Sequence, residues 1–165
     1  MSLETFNLSD RDQARAAIRP CVDIDRWIDA VVDARPYSNV EDVLRVAREA
    51  ADPWSESEID GALAHHPRIG ERAAGHNDEA KLSRSEQAGV DATDDTVTAA
   101  LLEGNRAYEQ KFGRVFLIRA AGRSAREILD ALQTRLRNTA EEEIAVAAEQ
   151  LREIAVLRLE GVVGS

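Results

Sequence analysis

The chain has 165 residues, 44% of them hydrophobic, and a formal net charge of −10 at pH 7. That length supports one domain with a sizeable core over residues 1–165, and no apolar run is long enough to span a membrane. An acidic surface repels phosphate backbones, which excludes nucleic acid as the main partner and leaves small anions open wherever arginines converge. Cys21 is the only cysteine, so an internal disulfide and a cysteine-based zinc site are not expected. Met1-Ser2-Leu3-Glu4-Thr5 lacks the basic flank and apolar stretch of a secretory leader, so the expected compartment is the cytoplasm.

Apolar residues recur at helical spacing and aromatic strand formers are few, which predicts an all-α fold. Ser9 is expected to cap the first helix, with Asp12 in its first turn and Leu8 as a staple. Ile24, Trp27, Ile28 and Val31 form one apolar stripe. Asn39 caps a helix whose Val40, Val43, Leu44, Ala47 and Ala50 face inward, and Asp52-Pro53 stops it. Ser55 with Glu58 is a capping box for a short helix carrying Ile59, Ala62 and Leu63, which ends before Pro67.

A polar, small-residue loop, Glu71 to Asn77, leads to a helix start near Ser83 that is interrupted or ended at Gly89. A longer helix presents Val97, Leu101, Tyr108 and Phe112 on one side. Asn105 falls on that stripe and needs a buried partner. Gly113 fits the left-handed residue that ends a helix. Val115-Phe116-Leu117-Ile118 reads as extended, and Ser124 with Glu127 starts a helix burying Ile128, Leu129, Leu132 and Leu136. Thr139 with Glu142 caps the last helix, where Ile144, Ala147, Leu151 and Ile154 align. Arg158 continues that stripe, which gives it a structural role, and Cys21, Trp27 and Trp54 read as core. Short connections between these helices predict a single compact multi-helix bundle.

Chemistry centres on His65-His66-Pro67-Arg68-Ile69-Gly70 and Ser83-Arg84-Ser85-Glu86-Gln87. Imidazole titrates near neutrality, so His66 is either a general acid or base, or simply the end of a helix. Ser83 with Glu86 is either a capping box, in which Glu86 turns back to the backbone, or part of a site at a helix start where backbone N–H groups hold an anion. Gln87 adds a neutral donor and acceptor suited to an amide or ureido group. If residues 119–123 are extended, Arg119 and Arg123 share a face and both guanidiniums suit a carboxylate; the plainer alternative is a surface salt bridge. His76 has no second ligand at metal spacing, so no metal site is expected.

With these residues in place, the chain resembles the 2-oxo-4-hydroxy-4-carboxy-5-ureidoimidazoline (OHCU) decarboxylase family of ureide metabolism. Phe6-Asn7, Cys21 with Trp27, Arg35-Pro36-Tyr37 and His66-Pro67-Arg68-Ile69-Gly70 carry the resemblance. It continues through Ser83-x-x-Glu86-Gln87, Asn105-x-x-Tyr108-x-x-Lys111-Phe112-Gly113 and Arg158-Leu159, over nearly the whole length. The resemblance implies an all-helical homodimer that uses neither metal nor organic cofactor and converts the anionic ureidoimidazoline to (S)-allantoin and carbon dioxide. It implies His66 as the catalytic histidine and Glu86 as its acidic partner. Ser83 and Gln87 would contact substrate, and Pro67 would shape the pocket.

One departure stands out. The family pattern has arginine or lysine where this chain has Ala121, and an arginine appears instead at 119. Arg119 is therefore the expected substitute for the missing substrate-carboxylate contact. The same departure leaves two rival expectations, a helical binding module without chemistry and a decarboxylase or hydrolase of another ureido acid.

Overall fold

A computed structural model describes residues 1–70, 78–88 and 94–165, and nine helices make up most of them. They are α1 (Leu3–Leu8), α2 (Arg11–Ile18), α3 (Asp25–Asp33), α4 (Val40–Ala50) and α5 (Glu56–Leu63). Then come α6 (Asp78–Glu86), α7 (Asp95–Phe112), α8 (Ala125–Arg135) and α9 (Ala140–Val163). Among the described residues there is no sheet, only an isolated bridge between Ser2 and Gly164. The all-α expectation holds. None of the described helices is long and apolar enough to cross a membrane.

Internal packing groups the chain into two units, Met1–Ala62 with Arg152–Ser165, and Leu63–Leu151. In the first, Trp27 on α3 is fully buried and its indole Nε1 donates to the Ala47 carbonyl of α4 at 2.9 Å. Asn7 and Tyr37 exchange backbone–side-chain hydrogen bonds, both 2.9 Å, and the Arg35 guanidinium donates to the carbonyls of Phe6 and Ser9. Tyr37 donates its hydroxyl to the Val31 carbonyl, and burial pushes that hydroxyl up to about 12. Arg158, 4% exposed on α9, donates to the Pro20 carbonyl at 2.9 Å, which confirms its structural role.

The second unit is built on a core of Val97, Leu101, Tyr108, Phe116, Ile118, Ile128, Leu129 and Leu132, with Ile69 packed into it. α7 and α8 approach so closely at Gly104 that a Cβ there would lie 2.5 Å from Leu132 Cδ2. Glu143 of α9 is fully buried, and its carboxylate accepts from Tyr108 at 2.7 Å, Arg135 at 2.7 Å and Asn138 at 3.0 Å. Arg135 also donates to the Leu117 carbonyl and lies over the Phe116 ring, its guanidinium carbon 4.5 Å from the ring centroid. Burial and the neighbouring Glu143 carboxylate hold the Tyr108 hydroxyl well above the usual tyrosine range, so it stays a donor.

Most predicted helix ends are found. Asn39 caps α4, Ser55 and Glu58 form their box, Ser124 and Glu127 form another, and Thr139 pairs with Glu142 ahead of α9. Gly113 ends α7 with φ 72°. Val43, Leu44 and Ala47 are buried on α4, whereas Val40 and Ala50 lie at its ends and are only half-buried.

Three expectations need correction. Ser9 does not cap α2; it closes α1, and Asp10 caps α2 with Gln13 completing the box. Leu8 is 80% exposed and staples nothing, because the unexpected α1 turns it outward. The helix read as starting near Ser83 starts at Asp78, so Ser83 lies inside it, 3% exposed, and its carbonyl accepts from the Gln87 N–H at 3.1 Å. Residues 71–77, including His76, and Gly89 fall outside the described residues.

Removing one partner of a buried ion pair strands the other, so Glu143→Gln is expected to cost about 3–5 kcal/mol in urea unfolding. Tyr108→Phe, which leaves Glu143 paired with Arg135, is expected to cost about 1 kcal/mol. Glu58 supplies the pH dependence. A hydrogen bond from Arg26 holds its carboxyl below the usual glutamate range against a partial desolvation cost. A depressed carboxyl stabilises the fold above its ordinary pKa and loses that contribution as pH falls through the folded value. Glu58→Gln keeps the capping box, so its stability deficit, under about 1 kcal/mol at pH 7, is expected to vanish in acid.

Candidate active site

The site begins where α5 runs out. The His66 N–H donates to the Leu63 carbonyl at 3.0 Å, closing the last turn, and Pro67 drives the chain out of helical geometry. The His66 side chain is 6% exposed, and its Nε2 lies 4.0 Å from Glu79 Oε1 on α6. Four residues on, the Gly70 N–H donates to Gln87 Oε1 at 3.2 Å, and the Ile69 carbonyl accepts from Asn105 Nδ2 at 2.9 Å. The Ile69–Gly70 peptide is thus held on its oxygen edge by α7 and on its nitrogen edge by the end of α6. Gly70 takes φ 90°, a conformation that disfavours any residue with a Cβ.

Lengths explain the fit. Glu79 and Gln87 are separated by about 12 Å of helix, and the chain from His66 to Gly70 reaches at most about 13 Å when extended. The motif can therefore run alongside α6 with a contact at each end. Helical spacing puts Glu79, Ser83 and Glu86 on one face of α6, with Gln87 in the turn that follows, and Ser83 is the buried member between the two contacts.

This geometry overturns the capping-box reading of Ser83 and Glu86. With α6 starting at Asp78, neither residue is at its N-terminus, so no helix-start anion site exists at Ser83. Glu86 stands half-buried in the last turn of α6. The Arg68 guanidinium forms a two-pronged pair with Glu109 of α7 (Nη2 to Oε2, 3.1 Å), which makes it a tether of the motif.

Arg119 belongs to the connection between α7 and α8. Its N–H donates to Gln150 Oε1 at 2.9 Å, and its Nη1 donates to the Ala121 carbonyl at 3.2 Å. Arg123 Nε donates to the Arg119 carbonyl at 2.9 Å. Residues 115–120 carry no regular secondary structure, and a turn at Ala121–Gly122, with Gly122 at φ 78°, breaks the extended geometry. Sharing of one face by residues 119 and 123 therefore does not hold. Each guanidinium instead braces the turn that carries it.

The sequence pattern of OHCU decarboxylases matches residues 7–160. The chain belongs to the OHCU decarboxylase family. It is 30% identical over 136 residues to the 2-oxo-4-hydroxy-4-carboxy-5-ureidoimidazoline decarboxylase of Amia calva, over 81% of this chain and 78% of that one. It is 37% identical over 101 residues to the uric acid degradation bifunctional protein TTL of Arabidopsis thaliana, over 59% of this chain. The match spans only 31% of that longer relative. A crystal structure of OHCU decarboxylase in the presence of (S)-allantoin shares the fold, with a TM-score of 0.73 at 22% identity over 95% of this chain and 100% of that one.

Within this OHCU decarboxylase family member, sequence reasoning missed Glu79, the carboxylate beside the His66 imidazole. Its signal was present, since Glu79, Ser83 and Gln87 repeat every fourth residue, but it was hidden once the helix was taken to start at Ser83. Among the described residues, no three or more His, Cys, Asp or Glu side chains gather where they could hold a metal ion. If Glu79 orients His66, Glu79→Gln is expected to lower kcat about tenfold, roughly 1.4 kcal/mol of barrier, with unchanged far-ultraviolet circular dichroism. An unaltered kcat would make the contact incidental.

Proposed function

We propose that this chain decarboxylates OHCU stereospecifically to (S)-allantoin and carbon dioxide in urate breakdown, as a cofactor-independent carboxy-lyase. The observation that carries this is the nearly buried imidazole of His66, held at the end of α5 beside α6, in a chain whose family match runs from 7 to 160. His66 is the proton-transfer group, with Glu86 as the acidic partner in the reaction and Glu79 the carboxylate that stands 4.0 Å from the imidazole. Pro67, Ser83 and Gln87 contact the substrate.

In the reaction, the bond between the ring carbon and the carboxylate breaks and carbon dioxide leaves. The electron pair enters the conjugated ring carbonyl and nitrogen system, and a proton delivered from one fixed face gives a single product hand. A preorganised donor set is what such a charge-shifting step needs. Gln87 supports its part in this: its Oε1 is engaged by Gly70, which leaves the Nε2 end as the donor for a substrate oxygen. Arg119 receives anionic oxygen with a half-buried guanidinium that the Ala121 carbonyl already orients. The working unit is a cytoplasmic homodimer whose single catalytic domain spans residues 1–165.

General acid–base groups contribute about 10²–10⁴-fold. His66→Ala is therefore expected to slow carbon dioxide release from OHCU, generated in place from urate, by at least about a hundredfold while the fold persists. Wild-type rates in that variant would remove His66 from the chemistry, and wild-type protein no faster than the spontaneous decay would refute the reaction.

A further inference from the structure

Asn105 has only one end of its side-chain amide engaged. Its side chain sits on the buried stripe of α7, 3% exposed, among Ile69, Leu101 and Tyr108. The amide orientation follows from chemistry, because the Ile69 carbonyl can only accept, so the nitrogen faces it at 2.9 Å. The other end, Oδ1, is buried and has no hydrogen-bond partner. A buried carbonyl-type oxygen without a donor forfeits the hydration it had in water, and such a group calls for an explanation in a bound water, a ligand or a catalytic task. The unpaired oxygen lies within one amide width of the peptide that closes the His66–Gly70 motif, which Gln87, just after α6, holds from the other edge.

We propose that Asn105 is a specificity-determining residue whose Oδ1 accepts a hydrogen bond from the N–H-bearing ureido end of the substrate. An amide oxygen is neutral and accepts only; it repels a carboxylate and rewards a urea-type N–H. The residue therefore sets the direction in which the substrate enters: ureido nitrogen toward α7, carboxylate toward the cationic and donor groups elsewhere. The inference rests on the ureidoimidazoline reading of the site and adds to it the selection of the ureido group. Discrimination built on a buried polar partner is strong, because a ligand that lacks the donor leaves the acceptor unpaired.

The test is isothermal titration of the full chain with (S)-allantoin, which carries the ureido group, and with hydantoin, the similar ring without it. Wild type, Asn105→Leu and Asn105→Ser are compared, with thermal melts to certify folding and OHCU turnover assayed in parallel. In both variants allantoin affinity is expected to fall about tenfold or more beyond any fall in hydantoin affinity. Asn105→Ser covers the case in which leucine at this position prevents folding. Equal losses for the two ligands would mean that Asn105 only supports the Ile69 backbone, and no loss would mean that its oxygen meets no ligand; either result overturns the inference. Those failures are separable from failure of the reaction itself, in which the wild-type chain neither turns over OHCU nor binds allantoin.

Discussion

A carboxylate with no exposed surface holds the second unit together. Glu143 brings Tyr108 of α7, Arg135 at the end of α8 and Asn138 of the following turn to one point, while Arg135 reaches on to the backbone of the 115–120 segment. Burial of a charged pair is expensive in desolvation, and it is tolerated because nearly every donor around the carboxylate is used. The consequence for function is positional. Tyr108 and Asn105 are one helical turn apart, so the interaction that fixes α7 also fixes the amide that holds Ile69, and through Ile69 the segment carrying His66.

The site follows an economical logic. Pro67 removes the chain from helical geometry immediately after His66, and the four residues that follow span the length of α6 face they need. Each end of the segment then meets a side chain from α6 or the turn just after it: Glu79 stands 4.0 Å from the imidazole, and Gln87 accepts from the Gly70 N–H. Arg68 and Asn105 add two attachments to α7. A histidine mounted this way is presented from a loop yet is constrained like a helix residue, the form of preorganisation that proton transfer rewards.

The helices were legible wherever a cap and an apolar stripe agreed. Ser55 with Glu58, Ser124 with Glu127 and Thr139 with Glu142 announced α5, α8 and α9, because a capping box is written in local sequence. Ser83 with Glu86 carried the same spacing in the last turn of a helix, where the spacing has no such meaning, and that one coincidence displaced the start of α6 and concealed Glu79. α1 was missed because six residues with a single buried side chain, Phe6, give no periodicity to read. Glu143 and Arg135 were legible in principle as charges on apolar stripes, as Arg158 was, but their pairing depends on contacts between helices that sequence spacing does not encode. Several residues that carried the family resemblance, Asn7, Arg35, Tyr37 and Arg158, are backbone tethers of the first unit. Resemblance of that kind reports the fold as much as the chemistry.

In the proposed reaction this chain delivers a proton to one face of a ring carbon as carbon dioxide departs. Circular dichroism during urate breakdown tests it most directly, with urate oxidase and hydroxyisourate hydrolase supplying OHCU in place. Spontaneous decay yields allantoin of no fixed hand. The expected result is a rapid optically active signal of (S)-allantoin that appears only when this chain is added. Allantoin that accumulates without optical activity, at the rate seen in its absence, would contradict it.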